Sequence, residues 1–199
     1  MRISRLAQAA FVRFGFQSTW TAVLIVLVVP LLASGCGGSE DRFSGSRDLP
    51  DGFEITNGPG ASFGRPAGWI AKSTQTEGSP MPDVSVKAPA PVAGVTPGIQ
   101  LVRASDKGSF DTTLDARRSF VADTGENRTE DKPEDVAVSG AERGVLFRNT
   151  TSFGDTRFDE FDLAILLKDG SKIFFSGVVP SGDDVEADAI LESFRLAGG

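Results

Sequence analysis

The sequence predicts an α+β fold, an antiparallel sheet with helices packed on it, preceded by a leader and a tether. Three observations predict it. From residue 53 onward, short runs of alternating apolar and polar residues recur between Gly-, Pro- and Ser-rich breakers. Two stretches with helical periodicity stand far apart, one in mid-chain and one at the C-terminus. The strands come in groups before and between these helices, not singly in alternation with them, which argues against parallel βαβ units.

The leader comes first. Arg2, Arg5 and Arg13 precede an apolar run from Ala22 to Ala33, followed by the small residues Ser34 and Gly35. A basic segment, a short apolar segment and a small-residue cleavage site make a signal peptide. The run is about a dozen residues, and a membrane span needs roughly 20. Residues 1–35 therefore read as a removable leader. Cys36, the only cysteine of the chain, stands where the cleaved leader would end. Removing the leader takes three of the 20 basic residues and none of the 27 acidic ones, leaving a net charge of −10. Residues 36–52 are polar, rich in Gly and Ser and without periodicity, so they read as a tether of roughly 20–25 Å root-mean-square reach.

The domain spans 53–199. "FEIT" reads as a strand, "SFGRPAGW" follows, and "WIAKST" reads as a second strand. "VSVKA" and "IQLVRAS" alternate and read as strands, separated by the breaker-rich "PAPVAGVTPG". A helix is predicted from Asp111, its cap, to Asp123, with Phe110, Leu114, Phe120 and Val121 on one stripe. Arg117 lies inside that stripe. It reads either as a cation aimed into a pocket for an anionic group, or as an arginine whose stem lies on the core, the commoner arrangement. "GENRTEDKPED" reads as a solvated acidic loop; Glu126, Asn127, Glu130 and Asp131 lack the spacing and the glycine of an EF-hand. "VAVSGAERGVLFRNTTSF" gives a short strand and a longer one, and "GD" at 154–155 turns the chain. "RFDEFDLAILL" and "IFFSGVV" form a hairpin with Asp169 and Gly170 at its tip. In the first of these strands Phe161, Leu163, Ile165 and Leu167 share one face. The other face runs from Glu160 and Asp162 to Ala164 and Leu166, acidic to apolar, so a helix is expected to cover part of it. A final helix is predicted over 181–196, capped by Ser181, with Asp183, Asp184 and Glu186 in its first turn and Ala187, Ile190, Leu191 and Phe194 buried.

Two resemblances sharpen this reading. "LASGC", with Leu32, Ala33, Ser34 and Gly35 ahead of Cys36, resembles the lipobox of bacterial lipoproteins. The usual pattern has Leu where this chain has Ala33. The resemblance implies that Cys36 becomes the new N-terminus, carrying an S-diacylglycerol and an N-palmitoyl chain, on the extracytoplasmic face of the cell membrane. Two acyl chains anchor stably where one does not. The segment Phe63, Pro66, Trp69, the "GAERGVL" ahead of the central hairpin and the closing "ILESFRL" together resemble the PsbP-like fold, over about 53–196. The arrangement of lipobox, tether and one such domain is similar to actinobacterial envelope lipoproteins of the LpqN/LpqT type. This implies an α/β/α sandwich around an antiparallel sheet of about six strands, used mainly for binding. Trp69 is then expected in or near the core.

The chain has no His or Tyr, which excludes His-based triads, imidazole acid–base chemistry and His metal sites. No cofactor and no metal site is implied. An acidic mature chain repels nucleic acid, so the membrane, through the lipid anchor, and an unknown protein or apolar ligand are the expected partners. The leading expectation is a membrane-anchored envelope lipoprotein presenting a non-catalytic binding or interaction module. A carrier or chaperone for a lipid or other apolar envelope molecule is the alternative, with some of the 15 phenylalanines lining a cavity. A carboxylate-based hydrolase is the third, resting on Glu160 and Asp162, about 6–7 Å apart along one strand face; acids on the solvent side of a strand look the same.

Overall fold

Period-2 alternation assigns each strand residue a face, and the computed structural model follows it. It describes residues 43, 48–74, 82–105, 108–122, 128–130, 132–182 and 187–198, without the side chains of 117–122 and 128–130. In chain order the elements are β1 (Phe53–Gly58), β2 (Ala61–Pro66), β3 (Ile70–Ser73), β4 (Val84–Lys87), β5 (Gly98–Ala104), α1 (Phe110–Ala122), β6 (Arg128–Glu130), β7 (Glu134–Val136), β8 (Ala141–Phe153), β9 (Thr156–Leu167), β10 (Lys172–Pro180), α2 (Ala187–Glu192) and β11 (Arg195–Leu196).

Among the described residues the main sheet has eight strands, in the order β3-β4-β5-β10-β9-β8-β6, with β7 also paired to β8. Every pairing in it is antiparallel. A second sheet of three strands has the order β1-β2-β11. The expectation of a single sheet of about six strands is corrected on both counts. The "acidic loop" supplies β6 and β7, which pair with β8 one after the other, and "SFGRP" belongs to β2. Between β9 and β10 the predicted turn forms: Leu167 N–H donates to Ser171 O (2.9 Å) and Gly170 takes φ 81°. Gly154, at the turn between β8 and β9, has φ 60°.

One face of the main sheet carries Val86, Ile99, Leu163, Ile165, Ile173 and Phe175, all fully buried. Phe63 of β2 and Phe194 lie over Phe175 with ring centroids 4.9 Å apart in each case, and Phe161 lies 5.3 Å from it. Ile190 and Leu191 of α2 and the buried Trp69 join this cluster. The α/β/α layering that the resemblance implies is modified here, because the small sheet shares this layer with α2. On the opposite face α1 seats Phe110 and Leu114 over Val145, Phe147 and Ala164, where the apolar end of the β9 face called for a helix. Asp111 lies inside the first turn, not at the cap, and pairs with Arg143 at 2.7 Å.

The predicted final helix ends early. Ser193 Oγ donates to Ile190 O (2.6 Å) and accepts the Gly64 N–H (2.7 Å), which ties the helix end to β2. Arg195 and Leu196 then pair with Ser62 and Ala61 as β11. Ser181 sits in a turn before α2, and Asp183, Asp184 and Glu186 lie outside the described residues.

A second difference concerns the tether. Phe43, within the stretch read as polar coil, is 2% exposed, belongs to the core cluster and forms a parallel bridge with Val138. A phenylalanine in water loses about 1.5–3 kcal/mol relative to burial, so an apolar residue isolated in polar sequence has reason to find the core.

Candidate functional site

Helix α1 covers only part of its face of the sheet. What it leaves open follows from the register. Phe174 stands opposite Val102 on one side and Ala164 on the other, and Ala164 opposite Val145; this row belongs to the apolar patch beneath α1. Two residues further along, the same face turns polar. Ser85 pairs with Gln100, Gln100 with Ser176, and Ser176 with Asp162, so four polar side chains line up across β4, β5, β10 and β9. In the next row Lys87 stands opposite Gly98, Gly98 opposite Val178, Val178 opposite Glu160, and Glu160 opposite Asn149. Strands about 4.8 Å apart and rows about 6.6 Å apart make this floor roughly 15 Å wide over the first four strands.

A cavity of about 260 Å³ opens over both rows, just below the roughly 300–1,000 Å³ typical of ligand clefts. Gly98 contributes by what it lacks. A Cβ there would meet the Val86 carbonyl oxygen at 2.9 Å, so β4 and β5 approach closely and no side chain fills the floor between Lys87 and Val178. Asn149 is only 5% exposed, whereas Glu160 and Asp162 are half-buried and Lys87 is exposed at the edge. Glu160 Oε1 accepts a hydrogen bond from Thr151 Oγ1 (2.8 Å), which fixes one of its oxygens. The floor carries two carboxylates, one ammonium group, two amides and two serine hydroxyls. Serine and amide side chains both donate and accept, while carboxylates only accept.

The structure brings Glu160 and Asp162 together in the groove, as their shared strand face predicted. Trp69 is buried in the core, on the other side of the sheet. Arg117 lies in α1, and its side chain is outside the described residues, as are Leu32, Ala33, Ser34, Gly35 and Cys36. Ser85, Gln100, Asn149 and Ser176 were not singled out from the sequence. Each is a polar residue in an alternating strand, and only the register shows that they align.

Two groups with displaced titration lie elsewhere. Asp169 at the β9–β10 turn is held below the usual carboxylate range because its Oδ1 accepts from the Ser171 hydroxyl (2.6 Å) and the Ser171 N–H (2.9 Å). The Arg143 guanidinium is raised, chiefly by its hydrogen bond to Asp111, and it lies 5.7 Å from the Phe110 ring centroid. Among the described residues no group of three or more acidic, Cys or His side chains could hold a metal, and no helix is long and apolar enough to cross a membrane.

No family model matches the chain, and no curated protein matches it. Sixteen solved chains are similar in structure. One is LpqN of Mycobacterium tuberculosis, a protein involved in cell envelope biogenesis, with a TM-score of 0.48 and 10% identity over 74% of this chain and 87% of that one. Another is PA94 of Pseudomonas aeruginosa, a protein of unknown function, with a TM-score of 0.39 and 12% identity over 66% of this chain and 85% of that one.

Proposed function

We propose that this protein is a cell-envelope lipoprotein, anchored on the extracytoplasmic face of the membrane through acyl chains on Cys36, and that its PsbP-like domain is a non-catalytic binding module. The groove on the α1 side of the sheet is its binding site. The observation that carries this reading is the pair of in-register rows beside α1, the first polar across four strands and the second carrying Lys87, Glu160 and Asn149.

The chemistry of the floor selects the ligand. An anion would face Glu160 and Asp162. A cation would use the carboxylates and leave the donors of Ser85, Gln100, Asn149 and Ser176 idle. A neutral polyhydroxylated ligand uses both, since each hydroxyl donates to a carboxylate or amide oxygen and accepts from an amide or hydroxyl donor. The ligand class is therefore a saccharide or similar polyol. The apolar-carrier reading loses support because eight phenylalanines of the described core, Phe175 central among them, are buried in packing. The hydrolase reading loses support because Glu160 and Asp162 rise from one floor, whereas glycoside cleavage needs carboxylates flanking the scissile bond.

The test is binding of soluble cell-envelope oligosaccharides to the lipidated protein on immobilised vesicles. Saturable binding that falls at least tenfold in Asn149→Ala supports the groove, provided the thermal unfolding of that variant stays cooperative. Binding of free fatty acid or phospholipid in place of oligosaccharide would reinstate the carrier.

A further inference from the structure

We infer that Phe43 is a plug that shortens the leash between the lipid anchor and the domain, and so keeps the saccharide groove turned away from the bilayer. The inference rests on the anchor reading of Cys36 and on the groove as binding site.

The first link is covalent length. Seven residue steps separate Cys36 from Phe43, and fully extended they span at most about 25 Å. Were Phe43 not held, the leash would run on at least to Leu49, whose side chain lies against Gly64, and would reach about 45 Å. Burial of one side chain thus nearly halves the tether.

The second link is where the chain joins the fold. Phe43 bridges Val138, whose carbonyl accepts the Ala141 N–H (3.0 Å), and Ala141 pairs with Leu167 at the mouth of the β9–β10 turn. The leash is therefore fixed at the turn end of the long strands. Glu160 and Val178, in the outer row of the groove, pair six residues further along β9 from the pair Leu166 and Lys172. Six residues of strand are about 20 Å.

These lengths decide the orientation. With the groove end on the membrane, the attachment point would stand about 20 Å or more above it, and a leash of at most about 25 Å would be drawn nearly straight. A nearly straight chain has few conformations left, so this orientation is disfavoured against those with the turn end down. With the longer leash the constraint disappears. The groove consequently takes its ligand from the side facing away from the bilayer.

The experiment uses the full lipidated chain in phosphatidylglycerol–phosphatidylethanolamine vesicles containing a headgroup-labelled acceptor lipid. A donor dye is placed on Thr96→Cys, at the groove rim, or on Lys168→Cys, at the β9–β10 turn. Both positions are exposed. Energy transfer at 168 should exceed that at 96 at least twofold. A Gly/Ser insertion between Gly38 and Ser39, which leaves Phe43 in place, should bring the two toward equality, and Phe43→Ala should do the same if it folds. Equal transfer from both positions in the unaltered leash, or a ratio that the insertion leaves unchanged, overturns the inference. Cys36→Ser separates the two ideas: release from the vesicles upholds the anchor whatever the transfer ratio, and a Cys36→Ser chain that stays bound overturns the anchor reading itself.

Discussion

Gly177 tests the packing that holds the floor of the groove in place. It lies on β10 between Ser176 and Val178, and the Cα hydrogen that a side chain would replace points to the other side of the sheet, toward the aromatic cluster. A Cβ there would stand 2.4 Å from Cζ and 2.5 Å from Cε1 of Phe161. Carbon atoms rest at about 3.5–4.0 Å, so the ring would have to retreat by about 1 Å. A ring end on an open surface could do so at little cost, but Phe161 is 2% exposed and Phe175 lies 5.3 Å away, itself flanked by Phe63 and Phe194. Gly177→Ala is therefore an overpacking change, expected to destabilise by about 1–3 kcal/mol. At about 2–4 °C per kcal/mol for a protein of this size, melting falls by roughly 2–12 °C. Urea unfolding should show a lower midpoint at unchanged slope. Phe161→Leu removes the clashing ring tip, so in the double variant the two effects should couple by more than about 0.5 kcal/mol. A Gly177→Ala protein as stable as the parent, or strict additivity with Phe161→Leu, would refute the reasoning.

Phe43→Ala should cost about 3–5 kcal/mol, the range for truncating a buried phenylalanine, by the same urea titration; a value below 1 kcal/mol would mean that Phe43 is not part of the core. The Asp169 carboxyl should titrate by NMR below the ordinary aspartate range. Because its folded pKa is depressed, the stability it contributes is present above its unfolded pKa and is lost as pH falls through the folded value, and Asp169→Asn should remove that slope. Arg143→Ala, which breaks partly exposed pairs with Asp111 and Asp135, should change stability by no more than about 1 kcal/mol, with the difference shrinking in high salt. Ser176→Ala and Gln100→Ala should weaken oligosaccharide binding in calorimetry while leaving the melting temperature within about 2 °C of the parent.

The long strands were legible because alternation is a local property. Phe161, Leu163 and Ile165 announce a buried face by themselves, and the Asp169–Gly170 turn fixes the hairpin. α1 was legible from its own helical stripe and stop signal, and the change from Asp162 to Ala164 on the second face of β9 called for a cover. β2 was obscured by Gly64 and Pro66, residue types disfavoured inside strands, and β11 by the apolar periodicity of "ILESFRL", which continues past the point where Ser193 stops the helix. Only the two carboxylates of the groove were within reach of the sequence: Glu160 and Asp162 lie on one strand. Ser85, Gln100 and Ser176 come from three others, and Asn149 from a fourth, so their alignment depends on inter-strand register, which no single stretch encodes. Phe43 was hidden by its surroundings, an apolar residue in a segment whose composition speaks for coil.

The most direct measurement is NMR mapping of the domain's backbone amides during titration with a soluble envelope oligosaccharide, alongside a titration with a lysophospholipid. The account predicts saccharide-induced shifts concentrated at Ser85, Gln100, Ser176, Asp162, Glu160 and Asn149, with the amides around Phe63 and Phe194 unmoved. Shifts produced by the lipid and centred on those phenylalanines, with none from the saccharide, would contradict it.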